Sequence, residues 1–250
     1  MAHIILTGCT GRAGSSILAH ALASPSIARV SVLSRRPVDL ATKGPDASKA
    51  QVIIHKDFTS YPPETLARLK GATGCIWALG ISAVGMSEQD YEVITKTYAV
   101  RAAEAFRALH DSPSSGGAVA APFTFVFMSG EGANTAGTGQ LFARVKGRAE
   151  LALLDLCTPS FSVYNIRPGG IDPHGEHLAQ RARNWNDRIV GFMAPVLNVV
   201  WSGMMIGTDA LSKACLELVL GDGKPLGAGK GVEMDGRLVR NVALRAMGGL

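Results

Sequence analysis

The chain has 250 residues, 47% of them hydrophobic and 18% charged, with a formal net charge of +5. That balance supplies a core and excludes a disordered chain, and the length fits one domain, or one domain with a small lobe. The basic residues are scattered, with Arg35 and Arg36 the only adjacent pair, which excludes the clustered stripe of a nucleic-acid-binding surface.

The first predicted strand, Ile4–Thr7, runs straight into Gly8-Cys9-Thr10-Gly11-Arg12-Ala13-Gly14, and an alanine-rich helix, Ser15–Ala23, follows. Three glycines spaced three apart between a strand and a helix suit a pyrophosphate. One glycine makes the turn, one lets phosphate approach the backbone, and one lets the helix sit close to the strand. The open helix N-terminus offers unpaired N–H groups and partial positive charge. Gly8, Thr10, Gly11, Arg12, Ala13 and Gly14 are therefore expected to hold a dinucleotide. The second strand, Val30–Ser34, closes in Arg35-Arg36-Pro37. An acidic residue here would hold ribose hydroxyls, whereas guanidinium groups suit a 2′-phosphate. The expected cofactor is NADP(H), with Arg12 able to approach the same phosphate.

Further strands are predicted at Gln51–His55, Gly74–Leu79, Phe123–Ser129 and Ser162–Ile166, and helices at Pro63–Leu69, Glu88–Leu109 and Leu141–Leu156. The alternation predicts an α/β fold with a doubly wound parallel sheet and ligands at the carboxyl ends of the strands. After Pro168 the pattern reads as loops and helices only, with helices at Asp209–Leu220 and near Leu238–Met247. Residues 1–250 are taken as a single dinucleotide-binding domain, with roughly 171–207 as a segment that covers the substrate pocket. The aromatic and methionine residues of 184–206 equally suit a lid, a core or a homodimer face.

The stretch from Ile189 to Ile206 is the most apolar, but Pro195, Asn198 and Ser202 interrupt it, which argues against a membrane span. A first strand at His3 leaves no leader, so a cytoplasmic location is expected. Cys9, Cys75, Cys157 and Cys215 lack metal-ligand spacing and read as reduced thiols; no metal is expected.

Several stretches together resemble the atypical short-chain dehydrogenase/reductase superfamily, and within it the branch of the Tat-interacting oxidoreductase. They are Thr7–Gly14, Leu33–Pro37, Asp57-Phe58, Ala78-Leu79-Gly80, Phe127–Gly130, Val145–Glu150 and Ile166–Gly169. The resemblance implies that Asp57 and Phe58 lie beside the adenine and that Ala78, Leu79 and Gly80 wall the adenosine pocket. It places Pro168 and Gly169 under the nicotinamide. It also implies a Tyr-x-x-x-Lys pair on one helix face, in which lysine binds the ribose and tyrosine passes a proton to the substrate oxygen. Here Lys146 is present, but Phe142 holds the tyrosine position, and Ser129-Gly130 replaces a Ser-Ser pair. A phenyl ring donates no proton. Ser129, Lys146 and Tyr98 are the candidate catalytic residues; Tyr91, Asp172, His174, Glu176 and His177 are further sources of the proton. The expected function is an NADP-dependent oxidoreductase acting on a small apolar carbonyl or alkene. The alternative is a non-redox isomerase, dehydratase or cyclase, or a cofactor-sensing regulator, on the same scaffold.

Overall fold

The computed structural model describes residues 1–39, 46–111, 121–172 and 203–250. Its strands are β1 (Ala2–Thr7), β2 (Ile27–Ser34), β3 (Ala50–Ile54), β4 (Gly74–Trp77), β5 (Phe123–Met128), β6 (Phe161–Arg167), β7 (Gly170–Asp172), β8 (Met205–Gly207), β9 (Val232–Glu233) and β10 (Leu238–Arg240). The α-helices are α1 (Arg12–Ala23), α2 (Pro63–Leu69), α3 (Glu88–Glu92), α4 (Tyr98–His110), α5 (Leu141–Leu154), α6 (Thr208–Leu220) and α7 (Asn241–Met247). A π-helical stretch, Val93–Thr97, joins α3 to α4, so that the predicted helix 88–109 is continuous but carries a wider turn. Ser87 starts it, accepting a hydrogen bond from the Asp90 N–H at 3.1 Å.

Eight strands form one sheet in the order β3-β2-β1-β4-β5-β6-β10-β9. All neighbouring pairs run parallel except β9 against β10. The sheet is covered on both faces, and its strands alternate between two cores, as the two-residue period requires. Ile4 and Leu6 of β1, Ile76 of β4 and Val126 of β5 face an aliphatic core with α1 and α6. Ile5, Cys75, Trp77, Phe125 and Phe127 face the other side, where α4 and α5 lie. That second core is aromatic: Phe123 stacks on Phe161 at 5.5 Å between centroids and Trp77 on Phe125 at 6.1 Å. All four cysteines are free thiols, and Cys9, Cys75 and Cys215 are buried.

The chain beyond Pro168 departs from the expectation of loops and helices. β7 pairs with β8 in a small second sheet, and β10 joins the main sheet as the seventh strand in order. The predicted helix 238–247 splits: Leu238 and Val239 are buried in parallel register with Asn165 and Ile166, and only Asn241–Met247 is helical. Strands of two or three residues are too short for alternation to show in a sequence window, so that tertiary pairing alone decides them. Most of the segment 171–207 lies outside the described residues.

The switch in strand order falls at β1, between β2 on one side and β4 on the other. Open α/β sheets bind ligands in the crevice at such a point.

Candidate functional site

The three glycines after β1 have distinct positions. Gly8 has φ +71°, and a Cβ there would lie 2.3 Å from the Ala78 carbonyl oxygen. A Cβ on Gly14 would lie 2.2 Å from the Gly8 carbonyl oxygen. These two allow the turn and the approach of α1 to β1. Gly11 is different. It is exposed, its N–H donates to the Gly8 carbonyl at 2.8 Å, and a Cβ there would meet only that oxygen, at 3.2 Å. It is the N-cap of α1, whose first turn carries no acidic residue and no side-chain cap. The helix N-terminus thus opens onto the crevice.

Two cavities meet there. The smaller, about 540 Å³, is lined by Thr10, Ser34, Arg35, Arg36 and Phe58 beside Gly8 and Gly11. The larger, about 1080 Å³, includes Arg12, Ala13, Ser129, Lys146, Pro168 and Gly169. Gly11, Ala78, Leu79 and Gly80 border both, making the two cavities arms of one groove across the carboxyl ends of β1 and β4. The Leu79 N–H donates to Thr7 Oγ1 at 3.2 Å, which fixes this wall to the end of β1.

Most of the expected site residues therefore gather on the groove. Arg12 lines the larger arm and donates to the Ile171 carbonyl at 3.2 Å, whereas Arg35 and Arg36 line the smaller. Asp57 lines neither arm; its carboxylate accepts from the Thr59 N–H at 2.9 Å, the Thr59 hydroxyl at 2.6 Å and the Ser60 hydroxyl at 3.2 Å. Those bonds hold its pKa below the usual carboxylate value, and Phe58 reaches the cavity in its place. Tyr98 also lines neither arm, and its ring packs 5.8 Å from that of Phe58. Tyr91 is buried in the helix and Asp172 sits in β7. His174, Glu176 and His177 lie outside the described residues.

The larger arm has its polar groups on one wall. Lys146 projects from α5, and its Nζ donates to the Ser129 carbonyl at 2.5 Å and to the Met128 carbonyl at 3.5 Å. Burial lowers its pKa to about 8, against an opposing pull from Glu150 one turn on. Ser129 follows β5 directly, with its N–H bonded to the Ile166 carbonyl at 2.8 Å, and its buried hydroxyl has no partner among the described residues. Phe142 lies one turn before Lys146 but lines neither arm; its ring edge is 3.2 Å from where a Cβ of Gly132 would be.

Three residues of this arm escaped the sequence reading. Glu131 pairs with Arg240 at 2.9 Å and accepts the Asn241 N–H at 3.0 Å. Asn241 accepts from the Gly169 N–H at 2.8 Å and donates to the Gly203 carbonyl at 2.9 Å. They bind α7 and β10 to the turn after β6 and so close the floor of the groove. Arg240 and Asn241 fall inside the stretch read as plain helix, and no local pattern marks them.

The Gly8 and Gly14 positions exclude any side chain, α1 presents an uncapped N-terminus, and the Ser129 hydroxyl is an unsatisfied buried group. The residues present fit an elongated phosphate-bearing ligand. No cluster of three metal-ligating side chains occurs among the described residues, and none of their helices is long and apolar enough to cross a membrane.

No protein-family model matches the chain. Among solved structures it is similar to the KRED1-Pglu enzyme, with a TM-score of 0.63 and 15% identity, covering 96% of this chain and 100% of that one. It is also similar to Gre2 from Candida albicans, solved with NADPH, with a TM-score of 0.56 and 14% identity; there it covers 68% of this chain and 58% of the other. Likeness at this identity extends to the fold, a Rossmann-type α/β fold. A sequence relative is much nearer: leucinostatins biosynthesis cluster protein T of Purpureocillium lilacinum is 33% identical over 272 aligned positions, spanning 97% of this chain and 94% of the relative. The chain belongs to the family of leucinostatins biosynthesis cluster protein T.

Proposed function

We propose that this chain is an NADP(H)-dependent oxidoreductase of the short-chain dehydrogenase type, acting on a small apolar carbonyl or alkene compound. The observation that carries the reading is the two-armed groove, with Arg35 and Arg36 at one end and Lys146 and Ser129 at the other. The occurrence of NADPH in the Gre2 structure supports it. When bound, the nicotinamide cofactor supplies the hydride. The chain's own residues do the rest. Arg35 and Arg36 pair with the 2′-phosphate, the N-terminus of α1 receives the pyrophosphate, and Lys146 holds the ribose on the nicotinamide side. The Ser129 hydroxyl donates to the substrate oxygen. Met128, Ile171 and Met204 give the larger arm apolar walls.

Replacing Arg35 and Arg36 together by alanine tests the reading. The loss of charge-assisted bonds to a phosphate should weaken NADPH binding by ~2–4 kcal/mol while NADH affinity, measured by the same calorimetry, stays nearly constant. Equal losses for both cofactors would refute the phosphate role.

Phe142 provides a second test. The tip of its ring lies at Gly132 and lines neither arm, so that a hydroxyl added there by Phe142→Tyr would meet residue 132 before the substrate space. Carbonyl reduction by this variant should change little, far short of the ~10²–10⁴-fold that a positioned general acid provides. A rise of that size would mean that the helix presents residue 142 to the substrate after all.

A further inference from the structure

We infer that the proton delivered to the substrate oxygen comes from the Lys146 ammonium rather than from an aromatic hydroxyl. This inference rests on the reductase reading above. The chain has four tyrosines, and none borders the larger arm. Tyr61 stacks on His55, Tyr91 is buried, Tyr98 packs on Phe58, and the Tyr164 hydroxyl donates to the Lys224 carbonyl. The position one turn before Lys146 is a phenyl ring facing Gly132.

Lys146, by contrast, reaches the groove. Residue 130 is glycine, and a Cβ there would lie 3.7 Å from Lys146 Nζ, so that no side chain at this position covers the ammonium. An ammonium has three N–H bonds. The Ser129 carbonyl takes one, and the Met128 carbonyl is reached only at 3.5 Å, so that one N–H is left for the substrate oxygen and the one directed at Met128 can turn to the ribose. The other charged groups around this arm are committed. Glu131 pairs with Arg240, and Glu150 on the same helix pairs with Arg167 at the end of β6. Arg12 donates to Ile171, and a guanidinium does not release its proton.

The ionisation of Lys146 agrees with this geometry. A lysine of ordinary pKa, ~10.4, is a weak acid at neutral pH, and a general acid works best when its pKa is near the working pH. Burial brings Lys146 to about 8. In the step itself, hydride from a reduced nicotinamide bonds to the carbonyl carbon, and the π pair of the C=O bond moves onto oxygen. One N–H bond of Lys146 breaks, its electron pair stays on nitrogen, and the proton bonds to oxygen. The products are an alcohol, an oxidised nicotinamide and a neutral amine, which water reprotonates.

The first test needs no cofactor and no variant. Acetylation of Lys146 by acetic anhydride, followed across pH by peptide mass spectrometry, should reach half its limiting rate near pH 8. A midpoint at the ordinary value of ~10.4, or no acetylation at any pH, would overturn the inference. The second test uses Lys146→Arg, which keeps the positive charge but holds its proton. NADPH affinity should stay within a few-fold, while reduction of a panel of apolar aldehydes and ketones, benzaldehyde and 2-octanone among them, should fall ~10²–10⁴-fold. In the unmodified protein kcat/KM should decline as pH rises through about 8, because the ammonium is the active form. Reduction retained by Lys146→Arg would overturn the inference. So would NADPH binding by the unmodified protein without reduction of any panel member, which leaves the cofactor reading intact. Failure of NADPH to bind at all would instead defeat the reading on which the inference rests.

Discussion

Replacing Arg167 by methionine should destabilise the fold by about 3–5 kcal/mol, the cost of leaving one member of a buried ion pair alone. Glu150 is fully buried, and Arg167 holds it with two bonds, Nε to Oε1 at 2.9 Å and Nη2 to Oε2 at 2.6 Å. Methionine fills much of the arginine's volume but gives the carboxylate no donor. The effect reaches the site, because α5 carries both Glu150 and Lys146 and β6 leads into Pro168 and Gly169. Urea unfolding monitored by circular dichroism measures it. Combining Glu150→Leu with Arg167→Met should recover most of the loss, since a well-packed apolar pair can replace a buried ion pair at little cost. A single-variant cost below ~1 kcal/mol, the range of exposed pairs, would mean that Glu150 is reached by water.

Gly11→Val should abolish cofactor binding and leave the fold in place. The backbone at residue 11 has φ −92°, which valine adopts without strain, and its Cβ would need the Gly8 carbonyl to give by only a few tenths of an ångström from 3.2 Å. The branched side chain would then stand at the N-terminus of α1, where the pyrophosphate must approach the backbone. Gly14→Val makes the contrast: its Cβ would be driven to 2.2 Å from a backbone oxygen, and this variant should fail to fold. Calorimetry with NADPH beside circular dichroism separates the two outcomes. Undiminished affinity in Gly11→Val would remove the turn from the phosphate site.

The parts of this molecule that could be read from the sequence are those written in local patterns. Ile4–Leu6 is buried on both faces and shows as an unbroken apolar run, as strands of covered parallel sheets do. The glycine spacing and the Arg35–Arg36 pair are contiguous features, and they lie on the groove. The arrangement of the C-terminal third was not legible, because its strands are two or three residues long and depend on pairing with distant chain. Arg240 meets Glu131 across 109 residues, and Asn241 meets Gly169 across 72. Phe142 was legible as a departure, but its place against Gly132 required the path of the loop before α5. At Asp57 the sequence position suggests a ligand contact but does not show the local turn in which Thr59 and Ser60 engage its carboxylate.

The proposed function requires one groove to take the whole dinucleotide, with its 2′-phosphate at one end and its nicotinamide at the other. A crystal structure of the chain with NADPH tests this most directly. The 2′-phosphate is expected at Arg35 and Arg36, the pyrophosphate at the N–H groups that follow Gly11, and the nicotinamide ribose beside Lys146. A cofactor bound in the reverse sense, or with its phosphate away from the arginine pair, would contradict it.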